Sequence, residues 1–183
     1  MQRSPRPSVA PFTAAAAATL ILDILTKLVV YNRLPYHGAP IEVIGDLLRW
    51  THIRNAGAAF GLFQGNRYFF IAVSILSALV IVILVLKRSH RSSLVLVGFG
   101  MVLGGALGNL SDRIWLGVVI DFIDVGIGDL RWPVFNVADM GVTVGVAVLG
   151  LGMIREDRRG GARIDPEEGG GSPDRSAGSN HVR

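Results

Sequence analysis

The chain has 183 residues, of which half are apolar and only 17% are charged, and its mean hydropathy is +0.47. A water-soluble domain of this length needs more charge to cover its surface, so the composition indicates that lipid is the solvent for much of the chain. The net charge of +4 comes from dispersed basic residues, which argues against nucleic-acid binding, and the absence of cysteine excludes disulfides, thiolate nucleophiles and cysteine metal sites.

Several apolar stretches are long enough, or nearly so, to cross a bilayer, which takes about 20 helical residues. We predict four transmembrane helices, over residues 9–30, 68–86, 92–111 and 134–154. A cleavable signal peptide is the alternative for the first stretch, but its apolar run continues well past the alanines at 14–18. We therefore predict one membrane-embedded domain over residues 1–154. The Gly-rich, charged segment 155–183 cannot form a core and is predicted to be a disordered tail.

The basic residues predict how the helices are oriented. Residues 1–8, the short connection 87–93 and the segment after 154 carry Lys and Arg, whereas the long connections 31–67 and 112–133 are sparser in basic residues. Because short cytoplasmic segments are enriched in Lys and Arg, we expect both termini to be cytoplasmic and the long connections to be extracytoplasmic.

Glycines recur on one face of the third predicted helix, at Gly100, Gly104 and Gly108, and Gly141 and Gly145 repeat the spacing in the fourth. Small residues at this spacing allow membrane helices to approach closely. We expect the third and fourth helices to pack together, which would bring their outer ends into contact.

Acidic residues in or beside the predicted helices lie near the outer boundary. Asp23 and Lys27 are four residues apart on one face of the first helix, where they can form an ion pair. An ionisable side chain inside a membrane costs about 2.5–3.5 kcal/mol, so such groups usually face partners or a wet cavity. Their clustering at one depth predicts a functional site.

Two segments at this depth share an asparagine three residues before an aspartate: Asn109 with Asp112, and Asn136 with Asp139. On a helix each pair lies on one face, so the amide can orient the carboxylate. Pro133 favours a helix start with Asn136 as the N-cap, and the helix dipole there favours an ionised Asp139.

Asp121 lies in the apolar segment 118–124, whose side chains are expected to desolvate its carboxyl group and raise the pKa. A pair with Asp139 would then hold one protonated and one ionised carboxyl, an arrangement that can activate water and protonate an amide. Helix capping and ion pairing explain these two aspartates equally well from the residues alone. Asp124 and Asp129 are interpreted as solvated loop residues.

Other chemistries find less support. His37, His52, His90 and His181 lack metal-ligand spacing, so we expect no metal and no cofactor. The G-x-S-x-G motif of serine hydrolases is absent.

Five blocks of sequence resemble the lipoprotein signal peptidase (signal peptidase II) family over roughly residues 12–154. They correspond to the family patterns D-x-x-[ST]-K, N-x-G-x-A-F-G, G-G-x-x-G-N-x-x-D-R, V-[VI]-D-F and F-N-x-A-D, at residues 23–27, 55–61, 104–113, 119–122 and 135–139. The resemblance implies an all-α membrane protein, a bundle of four transmembrane helices with a small extracytoplasmic β-structured cradle from residues 31–66. It also implies an aspartic endopeptidase that cleaves diacylglyceryl-modified prolipoproteins before the lipidated cysteine.

By this resemblance the catalytic residues are Asp121 and Asp139, and the sequence leaves open which is base and which is acid. The resemblance and the patterns above together predict the supporting or substrate-binding residues Asp23, Lys27, Asn55, Gly57, Asn109, Asp112, Arg113 and Asn136. The expected partners are membrane lipids and a lipid-modified prolipoprotein, with the chain a monomer in the bacterial inner membrane and its site at the extracytoplasmic face. The alternatives are an ion-coupled transporter that uses the same acids as a relay and a non-catalytic membrane scaffold.

Overall fold

Four helices and four short strands make up the part of the chain that the computed structural model describes, residues 8–57, 64–87 and 92–161. The helices are α1 (Ala10–Arg33), α2 (Arg67–Leu86), α3 (Ser93–Trp115) and α4 (Val137–Gly161). Each is long and apolar enough to cross a membrane. The strands are β1 (Ile41–Ile44), β2 (Leu48–Asn55), β3 (Val119–Ile127) and β4 (Leu130–Arg131), which form an antiparallel sheet in that order. The predicted fold class, a four-helix membrane bundle with a small β-structured element, is confirmed.

The sheet draws on both long connections, which differs from the prediction that residues 31–66 alone supply it. Strands β3 and β4 come from the connection between α3 and α4, and β3 pairs with β2 through Ile53 opposite Asp121 and Asn55 opposite Val119. The β-branched residues of segment 118–124 explain this, because such side chains favour a pleated, half-buried surface. On β3, Ile120 and Phe122 pack against Val30 and Leu34 at the end of α1 and hold the sheet on the bundle.

Helices α3 and α4 pack together as expected, but the glycine ladder of α3 faces α1 rather than α4. A Cβ atom at Gly100 or Gly104 would meet the backbone of α1, and one at Gly108 would meet the carboxyl group of Asp23. Contact with α4 uses Gly98 and Gly105, which lie seven residues apart on a different face of α3. Since α3 has small residues on two faces, it can pack closely on α1 and α4 at once.

Helix α4 continues past the predicted end of the domain. Residues 155–161 are helical rather than part of a disordered tail, and the remaining tail residues, 162–183, lie outside the described residues. Glu156 connects this last part of α4 to the start of α3, because its carboxylate accepts a hydrogen bond from the backbone N–H of Ser92 at 2.6 Å. Ser92 in turn is the N-cap of α3 and accepts from Leu94 N–H at 3.2 Å.

An ion-pair cluster closes the sheet at the end distant from Asn55. Asp124 is only 5% exposed and pairs with Arg49 at 3.0 Å and with Arg131 at 2.6 Å. Both arginines also reach Asp46, in the turn between β1 and β2. The interpretation of Asp124 as a solvated loop residue is therefore wrong, because two cations from neighbouring strands compensate its burial.

Alternation of the helices places the whole sheet at one end of the bundle. Helices α1 and α3 run towards the sheet, and α2 and α4 start from it. The C-terminal end of α2, the N-terminal end of α3 and the C-terminal end of α4 lie at the opposite end. The candidate carboxyl groups on β3 and in the first turn of α4 consequently share the sheet end.

Candidate active site

Asp121 lies on β3 with its carboxyl group turned into the interior. The residue is 3% exposed, and each carboxyl oxygen accepts an amide N–H: Oδ2 from Asn55 Nδ2 at 2.9 Å and Oδ1 from Asn136 Nδ2 at 2.7 Å. Burial raises the pKa of Asp121 to about 7, the negative charge of Asp139 adds to the rise, and the amide hydrogen bonds oppose it. The pKa shift has the expected direction and the expected cause.

Asp139 lies in the first turn of α4 and forms a reciprocal cap with Asn136. The amide oxygen of Asn136 accepts from Asp139 N–H at 3.0 Å, and the carboxylate of Asp139 accepts from Asn136 N–H at 3.2 Å. This is the hydrogen-bond pattern of a capping box, and it confirms Asn136 as the N-cap. Asn109 on α3 donates a further hydrogen bond to Asp139 at 2.8 Å. Two N–H donors, from the Asn109 amide and the Asn136 backbone, and the dipole of α4 therefore favour a negative charge on Asp139.

Asn109 and Asn136 join the two carboxyl groups into one network. Besides its bond to Asp121, Asn136 Nδ2 donates to Asn109 Oδ1 at 3.1 Å and to Ile120 O at 3.3 Å. Asp121 is 3% exposed, whereas Asp139 is only partly buried. Asp139 is therefore the carboxyl group of the pair that water reaches more readily.

The expected pairing of Asn109 with Asp112 is not formed. The amide of Asn109 serves Asp139, while Asp112 accepts a hydrogen bond from Ile120 N–H at 3.1 Å and pairs with Lys27 at 3.0 Å. Local helical spacing predicted which residues share a face, but the contacts across to α1, α4 and β3 decide the partners.

Asp23 and Lys27 form the predicted ion pair, at 2.8 Å, and both are almost fully buried. Asp23 also accepts from Ala138 N–H at 2.8 Å, which satisfies a backbone donor in the first turn of α4. Lys27 reaches Asn109 as well, with its Nζ donating to Oδ1 at 3.0 Å. These contacts tie α1 to the helix turn that carries Asp139.

Asn55, Gly57 and Arg113 connect the loop after β2 to the site. The amide oxygen of Asn55 accepts from Gly57 N–H at 2.9 Å, and Arg113 donates to Gly57 O at 3.2 Å and to Asn109 O at 3.3 Å. The guanidinium interacts electrostatically with the carboxylates of Asp112, Asp121 and Asp139. Residues 58–63, which include the rest of the 55–61 sequence block, lie outside the described residues.

A cavity of about 370 Å³ lies between α1 and α3. Its wall is mainly apolar, with Ile24, Leu28 and Trp115, and Lys27 and Asp112 form a polar edge. Neither Asp121 nor Asp139 lines this cavity, so the cavity is separate from the carboxyl pair.

Comparison with known proteins gives consistent matches along most of the chain. The profile of a family described as signal peptidase (SPase) II matches residues 15–155. A lipoprotein signal peptidase of Geobacter metallireducens is 41% identical over 157 residues, covering 84% of this chain and 96% of that protein. One of Geobacillus kaustophilus is 46% identical over 136 residues, covering 73% and 86%.

Solved structures agree with the sequence matches. A bacterial membrane enzyme whose structure was determined by the in meso method at 2.3 Å resolution superimposes with a TM-score of 0.77 at 29% identity, covering 86% of this chain and 96% of that one. A second such enzyme, at 1.9 Å resolution, gives a TM-score of 0.74 at 30% identity, covering 85% and 99%.

Proposed function

The chain belongs to the signal peptidase II family and is an aspartic peptidase, and we propose that Asp121 and Asp139 are the two carboxyl groups with which it removes signal peptides from prolipoproteins. Membership of this family decides against the transporter and scaffold alternatives. The observation that carries the proposal is the network in which Asn136 bonds to Asp121 and Asn109, and Asn109 bonds to Asp139. This network holds two acids from separate elements at one place.

Asp139 acts as the base and Asp121 as the acid. A base must be ionised before water arrives, and Asp139 accepts hydrogen bonds from Asn109 and from backbone N–H at a helix start. Asp121, with a pKa of about 7, is substantially protonated near neutral pH. A protonated carboxyl oxygen keeps a lone pair, so the amides of Asn55 and Asn136 remain bonded in either protonation state.

The reaction then follows as proton transfers around a peptide bond. Asp139 takes a proton from water as the oxygen attacks the scissile carbonyl, and Asp121 donates a hydrogen bond to the carbonyl oxygen. Collapse of the tetrahedral intermediate breaks the C–N bond, and the leaving amine receives a proton from the carboxyl pair.

The proposed cleavage position is immediately before a diacylglyceryl-modified cysteine. The acyl chains of such a substrate anchor it in the membrane, so its scissile bond diffuses near the headgroups, at the depth expected for the sheet end of the bundle. Mass spectrometry of the products of a synthetic diacylglyceryl prolipoprotein tests this: we expect a new N-terminus at the lipidated cysteine. Equally fast cleavage of the unlipidated peptide, or cleavage elsewhere, would contradict the proposed specificity.

We propose one monomeric domain in the inner membrane, with the sheet extracytoplasmic and both termini cytoplasmic, because Lys and Arg concentrate near the other end. The chain has no cysteine, so single cysteines report its topology directly. A membrane-impermeant maleimide should label Asp129→Cys, between β3 and β4, in spheroplasts, and should label Lys87→Cys only after the membrane is opened. The reverse pattern would place the carboxyl pair on the cytoplasmic side.

A further inference from the structure

We propose that Lys27 is a positioning residue that fixes the amide of Asn109 with its NH2 group towards Asp139. The inference deepens the proposed function and rests on Asp139 being the base. Lys27 is buried in α1, 3% exposed, and Asn109 is its link to Asp139.

Lysine carries three N–H donors and no acceptor, so it can only face oxygens. Lys27 Nζ lies 2.8 Å from Asp23 Oδ2, 3.0 Å from Asp112 Oδ2 and 3.0 Å from Asn109 Oδ1. The two carboxylate contacts are ion pairs and the contact with Asn109 is a hydrogen bond, so the Asn109 atom that accepts it must be the carbonyl oxygen.

An asparagine amide has its oxygen and nitrogen at opposite sides, so fixing one fixes the other. With Oδ1 held by Lys27, Nδ2 of Asn109 points at Asp139 Oδ1, at 2.8 Å. A flipped amide would present its oxygen to the carboxylate, which would disfavour the ionised form of Asp139. Orientation of a neutral amide therefore decides whether the base is supported or opposed.

Asn136 also donates to Asn109 Oδ1, but it cannot replace the lysine. Its two hydrogens are shared among three acceptors, Asp121 Oδ1 at 2.7 Å, Asn109 Oδ1 at 3.1 Å and Ile120 O at 3.3 Å. Lys27 supplies a charged donor, and hydrogen bonds from charged donors are about twice as strong as neutral ones. The lysine is therefore the main constraint on the amide.

The test is a double-mutant cycle between Lys27 and Asn109, built in the Asp23→Asn background so that a fully buried carboxylate is not left without its cation. Methionine replaces the lysine with an uncharged chain of similar length. Single-turnover rates are measured with excess enzyme on a fluorogenic diacylglyceryl prolipoprotein peptide, which extends the range to slow variants. When Asn109 is kept, we expect Lys27→Met to lower the rate about tenfold, because a lost hydrogen bond of about 1.4 kcal/mol corresponds to tenfold. When Asn109 is already alanine, that hydrogen bond is absent, and Lys27→Met should lower the rate less than about twofold.

Lys27→Met should leave KM unchanged, because Lys27 acts through Asn109 and not on the substrate. Equal losses in both backgrounds, or a rise in KM alone, would overturn the proposal. Lys27→Gln in the same Asp23→Asn background gives a second arm, because its amide can still donate to Asn109 Oδ1. Its rate should exceed that of Lys27→Met severalfold, and equal rates would also contradict the role.

Failure of this inference can be told apart from failure of the proposed function. If Asp139→Asn still cleaves the substrate, the assignment of Asp139 to the catalytic carboxyl pair is wrong. If Asp139→Asn is inactive but the cycle shows no coupling between Lys27 and Asn109, only the positioning role is lost.

Discussion

Replacing Asp121 with asparagine should change how the stability of the protein depends on pH. Burial raises the pKa of Asp121 from 3.8 to about 7, so the folded state binds a proton that the unfolded state releases. The resulting stabilisation is fully present below pH 3.8 and is lost as the pH rises through about 7. Its full size is about 4 kcal/mol at about 1.4 kcal/mol per pH unit.

Part of this change falls within a range that can be measured. Between about pH 5.5 and about pH 8.5 the wild-type protein should lose about 2 kcal/mol of unfolding free energy that Asp121→Asn does not lose. For a protein of this size that corresponds to about 4–8 °C in Tm, measured by circular dichroism in detergent. Asp129→Asn, which removes an exposed carboxyl, should follow the wild type. Parallel curves for wild type and Asp121→Asn would refute the buried, high-pKa carboxyl.

Two further substitutions test the packing and the hydrogen bonds around the site. Gly108→Ala would push a Cβ atom into the carboxyl group of Asp23 and should cost about 1–3 kcal/mol of unfolding free energy. The control Gly150→Ala has open space around its Cβ position and should be neutral or slightly stabilising. Equal Tm values for the two variants would contradict the packing at Gly108. Asn55→Leu removes a hydrogen bond that lowers the pKa of Asp121, so this pKa should rise further and the alkaline limb of the pH–rate profile should move to higher pH. An unmoved alkaline limb would show that Asn55 does not influence the acid that the profile reports.

The sequence was sufficient for much of the site because its chemistry depends on local patterns. An ion pair four residues apart, as for Asp23 and Lys27, needs only helix periodicity, and the capping role of Asn136 needs only a helix start after Pro133. Apolar neighbours in one short segment were enough to predict the raised pKa of Asp121.

What the sequence did not predict depends on long-range contacts. Segment 118–124 pairs with β2, which follows α1 in the chain, and this pairing makes half of the sheet. The amide of Asn109 can in principle donate a hydrogen bond to Asp112 or to Asp139, and it donates to Asp139 because α4 packs against α3. Asp124 carries no local sign that Arg49 and Arg131 will meet it across the strands. Each of these partners is distant in the chain or lies on another element.

The most direct measurement is cleavage of a diacylglyceryl-modified prolipoprotein by purified wild type, Asp121→Asn, Asp139→Asn and the exposed-site control Asp129→Asn, each shown to be folded by circular dichroism. We predict that both dyad variants lose at least about 10³-fold in kcat/KM while the control stays within about twofold of wild type. Cleavage within about tenfold of the wild-type rate by either Asp121→Asn or Asp139→Asn would contradict the assignment of that carboxyl group to the chemistry.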